Sequence, residues 1–171
     1  MNFIELARSR RSIRSFKSDE VPEELIIQLI EAAQAAPSGG NCQPWHFYII
    51  KNRTIIQRIR DEACKQAFIT TAPVLILVCA DIARSEERYA ERGRELYCLQ
   101  DTAAAIENIL LCAASLGLGT CWCGAFDEDG VSGILDLPGK MRPVAIIPVG
   151  YSQKEGAKTG RRPIEEITTF I

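Results

Sequence analysis

Along this chain, apolar side chains return every three to four residues in some stretches and run together in others, and the two patterns predict different elements. Residues 3–9 read as a short helix. A second helix opens at Pro22, whose fixed φ suits a first turn, with Glu23 and Glu24 at the favourable end of the helix dipole and Leu25, Leu29 and Ala33 as its apolar stripe. Pro37 ends it, because the residue before a proline avoids the α region, and residues 38–44 are rich in turn formers. Residues 45–50 are aromatic and β-branched and predict a strand. Asn52 and Arg53 turn into a helix with Ile55, Ile59 and Ala63 on one face. Residues 74–80 show no polar alternation, the pattern of a strand buried on both faces.

Residues 81–95 carry nine charges and predict a solvated excursion rather than core. A long helix over about 96–116, closed by Gly117, is apolar on several faces. A short helix near 128–136 and a strand over 144–151 complete the pattern. The tail from about 152 to 171 is basic at Arg161 and Arg162, then apolar at Ile164, Ile167, Phe170 and Ile171. This order predicts one mixed α/β or α+β domain over 1–171, and the apolar long helix and tail predict a dimer.

Composition narrows the class. With 171 residues, 47% apolar and 25% charged, the chain is long enough for a core and ordinary for a globular protein. A net charge of −2 gives little long-range attraction for polyanions. The run nearest a membrane span, residues 103–119, is interrupted by Glu107 and Asn108, and residues 1–7 lack a basic n-region and a long apolar stretch. Seven cysteines, an odd count, fit reduced thiols and a cytoplasmic setting better than a disulfide scaffold.

The first candidate site is the basic stretch Arg10-Arg11-Ser12-Ile13-Arg14. Guanidinium forks and a serine hydroxyl suit one phosphate group, with Arg161 as a further cation; equally, such a stretch is a solvated end of a helix. Gly39-Gly40 and Gly117-Leu118-Gly119 make neither a dinucleotide fingerprint nor a P-loop, and loop glycines also serve as plain turns. Cys121-Trp122-Cys123 is too closely spaced for the usual zinc pair, so these read as structural cysteines and no metal is expected. His46, the single histidine, lies in a strand with no nucleophile motif beside it, and Glu86-Glu87 and Glu165-Glu166 read as solvated acids. Side chains therefore suggest no hydrolase, and any catalysis falls to a bound cofactor.

Four separated pieces then coincide in order: residues 10–16 (RRSIRSF), 36–45 (APSGGNCQPW), Asn108-Ile-Leu-Leu running into Gly117-Leu-Gly-Thr-Cys-Trp122, and Val149-Gly150-Tyr151 followed by residues 161–167 (RRPIEEI). Together they closely resemble the FMN-dependent nitroreductase family over nearly the whole chain. The resemblance implies an α+β fold with a central, mostly antiparallel sheet flanked by helices, and a homodimer with its long buried helix and its FMN at the subunit interface. By matching position, Arg10, Arg11, Ser12 and Arg14 hold the phosphate and ribityl end, joined by Arg161. Pro37, Ser38 and Gly39 come from the other subunit with Asn41 and Gln43 nearby, and Gln66 faces the polar edge of the flavin. The backbone of Cys121, Trp122, Cys123, Gly124 and Ala125 runs along the ring, with the Gly124 amide near N5. No side chain acts as nucleophile: NADH or NADPH passes hydride to N5 and leaves, and a nitroaromatic or quinone-type acceptor takes the electrons at the same place. Thr159 departs from a second cation that many relatives carry, and the charged stretch 81–95 is the one segment left to form a lid. Rival readings are the same fold with another reaction (dehalogenation, flavin breakdown, heterocycle dehydrogenation) or a ferredoxin-type donor and, from another class, a non-enzymatic anion- or nucleic-acid-binding module. The absence of stacking aromatics among the arginines disfavours that last reading.

Overall fold

A computed structural model describes residues 2–171. The chain runs α1 (Phe3–Ser9), α2 (Glu23–Gln34), β1 (Trp45–Ile50), α3 (Arg53–Arg58), β2 (Val74–Asp81), α4 (Ile82–Arg92), α5 (Cys98–Ser115), β3 (Gly119–Thr120), α6 (Glu128–Leu135) and β4 (Met141–Gly150). A wider helical turn at Ile59–Ala63 prolongs α3, another at Gly93–Tyr97 joins α4 to α5, and single 3-10 turns stand at Gly39–Asn41, Ala67–Thr71 and Ile164–Glu166. The strands form one antiparallel sheet in the order β1-β2-β4-β3. The expected α+β fold is present.

β2 explains why its sequence shows no alternation. Val74, Ile76 and Val78 point into a core shared with Leu29 and Ala33 of α2 and Ile106, Ile109 and Ala113 of α5. Leu75, Leu77 and Cys79 point the other way, against Ile56, Ile59, Ile69, Val131, Cys121 and Cys123. Both faces of the strand are covered, so every position from Val74 to Ala80 is buried. β4 begins at Met141, three residues before the expected start, because it follows β2 out to Asp81. Pro143 sits opposite Cys79, where the register shifts, and a residue without an N–H is tolerated at such an irregularity.

Three expectations need correcting. On α2 the buried row is Ile26, Leu29 and Ala33, with Leu25 half-buried and Pro22 as the cap rather than in the first turn. On α3 Ile56 rather than Ile55 is the fully buried residue, in line with Ile59 and Ala63, and Ile55 is half-buried. The stretch 81–95 is no loose excursion. Asp81 caps α4 by accepting from the Arg84 amide, Ser85 and Gly93 are buried, and Glu86 accepts from Lys140 (2.9 Å) and Arg94 (3.2 Å). α5 is the expected long helix, packed mainly on α2 and β2. β3 was invisible as a strand because only two residues pair. Among the described residues, no helix is long and apolar enough to cross a membrane.

Gly119 lets β3 approach the N-terminal segment. A Cβ there would stand 2.9 Å from both Cγ atoms of Ile13, a side chain that is itself buried. Gly119→Ala is expected to cost about 1–3 kcal/mol of unfolding free energy in urea, as overpacking of a filled core does. Unchanged stability would show that Ile13 moves aside freely.

Candidate functional site

The N-terminal basic stretch is fastened to the sheet edge. Ile13 donates its amide to the Thr120 carbonyl at 2.8 Å, Ser12 bridges Thr120 in parallel, and Phe16 bridges Ser152 antiparallel. Ile13 and Phe16 are buried and act as the pins. Between them Arg14 projects outward with its guanidinium 5.9 Å from the centre of the Phe68 ring. Among the described residues no carboxylate or carbonyl accepts from it. Arg10 is half-buried and reaches Glu107 at 3.7 Å, whereas Arg11 curls back onto the carbonyls of Arg8 and Arg10. Arg10 and Arg11 border an open cleft of about 610 Å³ with Gly117, Gly119, Gln153 and Gly156.

Residues 121–125 run past this stretch. Cys123 exchanges two 3.0 Å backbone hydrogen bonds with Ile146, so Cys121 and Cys123 turn inward while Trp122 is left 41% exposed. Gly124 and Ala125 follow on the surface. The Gly124 amide has no acceptor among the described residues, and a Cβ there would meet only Trp122 Nε1, at 3.8 Å. Cys64 lies against the Ala125 carbonyl (Sγ–O 4.0 Å) and Asp127 donates to Ala63 (2.9 Å), which brings half-buried Gln66 and Phe68 to the same side. The Cys121 thiol is pushed below its ordinary value, first by the hydrogen bond from the Cys123 thiol and then by Arg14, Ser12 and Arg10, against the opposing effect of burial. Cys123 is pushed up by the same bond and by burial. Thus Arg10, Ser12 and Arg14 do meet residues 121–125, and Gln66 follows two residues after Cys64, which touches Ala125.

The second expected group stands apart, as a rigid turn between α2 and β1. Gly40, Asn41 and Gln43 all have positive φ (53°, 55° and 49°), at a cost of about 1–2 kcal/mol for each non-glycine residue. The turn is closed by Asn41 N–Ser38 O (3.0 Å), Cys42 N–Gly39 O (3.1 Å) and Gln43 N–Ser38 Oγ (3.0 Å). Pro37 and Asn41 are exposed, and the side chains of Asn41 and Gln43 have no partner among the described residues. Arg161 belongs to neither group within one chain: it lies in the arm after β4 and donates to Thr159 Oγ1 (2.9 Å) and to the Thr159 and Gly160 carbonyls. His46 is exposed on β1, its ring 4.7 Å from that of Tyr48.

The model of the Nitroreductase family matches residues 7–67 and 60–151. The chain belongs to the nitroreductase family. A relative from Methanothermobacter thermautotrophicus, named as a candidate NADH dehydrogenase/NAD(P)H nitroreductase, is 39% identical over 155 residues, covering 88% of this chain and 78% of its own. The FMN reductase [NAD(P)H] of Bacillus subtilis is 30% identical over 177 residues, covering 96% and 71%. The crystal structure of a nitroreductase family protein from Clostridium difficile superposes with a TM-score of 0.87 at 31% identity, covering 99% of this chain and 98% of that one.

Within this nitroreductase-family chain, sequence reasoning missed Phe68, Cys64, Asp101, Arg84 and Arg88 as neighbours of the two groups. Asp101 left a signal: it shares a helix face with Ala105 and Ile109, so a carboxylate stood at core spacing. The arginines of α4 left none beyond charge. The Cys121 thiol gives a direct check. Thiolate absorbance of the flavin-free protein should show a group, absent in Cys121→Ser, that titrates below the ordinary 9.0, and Cys123→Ala and Arg14→Ala should each move it upward. No movement in either variant would mean the guanidinium and the second thiol do not face Cys121.

Proposed function

We propose that this chain is an FMN-dependent oxidoreductase, working as a homodimer, that uses NADH or NADPH to reduce nitroaromatic or quinone-type acceptors. The observation that carries the reading is an exposed, acceptor-free Arg14 guanidinium set beside Ser12 and the unpaired Gly124 amide. A monoanionic or dianionic tail needs such cations, a flat ring needs an open backbone edge, and the residues present fit both requirements. Bound there, FMN would supply the redox chemistry, taking hydride from NADH or NADPH and passing the electrons to the acceptor. The chain's part is to bind and orient. Arg10, Arg11, Ser12, Arg14 and Arg161 would hold the phosphate and ribityl end, Gln66 would give a polar contact to the ring edge, and the backbone of residues 121–125 would run along the ring, with the Gly124 amide offered to N5.

Among the described residues no hydrogen bond joins Pro37, Ser38, Gly39, Asn41 or Gln43 to residues 121–125, which supports a second copy completing the site. The arm supports it too. Ile164, Ile167, Phe170 and Ile171 are 69%, 61%, 95% and 121% exposed. An apolar groove of about 600 Å³ lies between α2 and the edge strand β1, lined by Ile26, Ile27, Trp45, Phe47 and Ile49 and flanked by Glu23, Glu31 and Lys51. Its apolar lining suits the partner's arm, which is apolar at Ile164, Ile167, Phe170 and Ile171.

The purified protein is expected to release one FMN per chain on denaturation, and NADH or NADPH should bleach the bound flavin. Turnover with a nitroaromatic, a quinone and an iodinated tyrosine then selects the acceptor. Arg14→Ala should weaken FMN binding by about 1–3 kcal/mol, the worth of a charge-assisted hydrogen bond, and an unchanged Kd would displace the phosphate pocket. Truncation after Ala157 should give monomers in sedimentation analysis, whereas an intact dimer would remove the arm from the interface.

A further inference from the structure

Two features have no part in this function: the charged helix α4 and the buried carboxyl of Asp101. Both converge on the turn 38–43. Arg84 donates through Nε to the Cys42 carbonyl at 3.0 Å, and Arg88 through Nη1 to the Gly40 carbonyl at 2.7 Å. From α5, Asp101 Oδ1 accepts the Gly39 amide at 3.1 Å. Tyr89 and Tyr97 meet edge to face, 5.0 Å between centres, and form a floor beneath Gly39 and Gly40. A Cβ on Gly40 would lie 2.6 Å from Arg88 Cζ and would also strike the Tyr89 hydroxyl, so the brace presses directly on the left-handed backbone.

We infer that α4 and Asp101 form a brace for the turn 38–43, and that Arg84, Arg88 and Asp101 are positioning residues for the cofactor groove that this turn completes in the partner. The second half rests on the proposed function; the first does not. Each brace contact goes to backbone, so the turn is held while the Asn41 and Gln43 side chains stay free for a ligand. A turn with two non-glycine residues at positive φ relaxes to commoner conformations unless its surroundings over-determine it. The arginines satisfy carbonyls that point away from the turn's own hydrogen bonds, and Asp101 satisfies an amide that they leave open. Asp101 is 7% exposed and its Oδ2 is buried with no partner among the described residues. Such a group is costly to retain for packing alone, which argues for a positional role. Burial raises its pKa against the pull of the Gly39 amide, so an amide side chain is a fair substitute.

The test uses the full-length protein with and without FMN. In Arg84→Ala/Arg88→Ala, hydrogen exchange at the amides of Asn41 and Cys42 should quicken about tenfold in the flavin-free protein, and the Kd for FMN should weaken by a similar factor. Asp101→Ala should do the same and expose the Gly39 amide, whereas Asp101→Asn, whose carbonyl oxygen still accepts that amide, should stay near wild type in both. Unchanged exchange in the arginine double variant would overturn the brace, and this variant decides the matter should Asp101→Ala fail to fold. Faster exchange with an unchanged Kd, in a wild type that binds FMN, would overturn the positioning role. A wild type with no affinity for FMN would overturn the proposed function and the positioning role together, with exchange still deciding the brace.

Discussion

The Ile13 amide on the Thr120 carbonyl, at 2.8 Å, joins the N-terminal segment to a strand of only two residues. With Ile13 and Phe16 buried as pins, Ser12 and Arg14 have one direction left to them, outward along residues 121–125. Loose surface guanidiniums attract an anion weakly, because water screens them and ordering long side chains costs entropy. Fixed on a sheet edge, they are organised before the ligand arrives, and less is lost on binding. The same pairing sets the distance between cations and thiols, which is why Cys121 senses Arg14.

The sheet supplies the rigidity behind that edge. β2 is covered on both faces, by α2 and α5 on one and by α3, α6 and the N-terminal segment on the other. Residues 121–125 hang from β4 through Cys123 and Ile146, so the open Gly124 amide is held by the core rather than by a loop. The turn 38–43 is held differently, by side chains of α4 and α5 on its carbonyls and amide. On the proposed function, these two groups are what a symmetric pair would bring face to face.

Much of the fold was legible in local pattern. β1 is where its aromatic and β-branched run predicts, α5 lies within two residues of its expected ends, and the unbroken run from Val74 marks the central strand. β3 was not legible, because two residues carry no period and its partners come from Ser12 and β4. The stretch 81–95 read as solvated because nine charges hide the contacts of Ser85, Glu86 and Gly93, which depend on Lys140 and the next helix. For the site, residue types alone left Arg10–Arg14 as either a phosphate pocket or an idle helix end; the likeness of four separated pieces to one family favours the first, which is the reading the proposed function takes. Asp101 meets Gly39 across 62 positions, a pairing that no spacing rule anticipates.

Calorimetric titration of the flavin-free protein with FMN and with riboflavin, at matched salt, tests the central claim most directly. The two ligands share the ring and ribityl chain and differ by the phosphate. If the pinned arginines form the anion cradle, FMN binds at least about a hundredfold more tightly, since two or more charge-assisted hydrogen bonds are lost with the phosphate. Equal affinities, or a preference for riboflavin, would contradict the account.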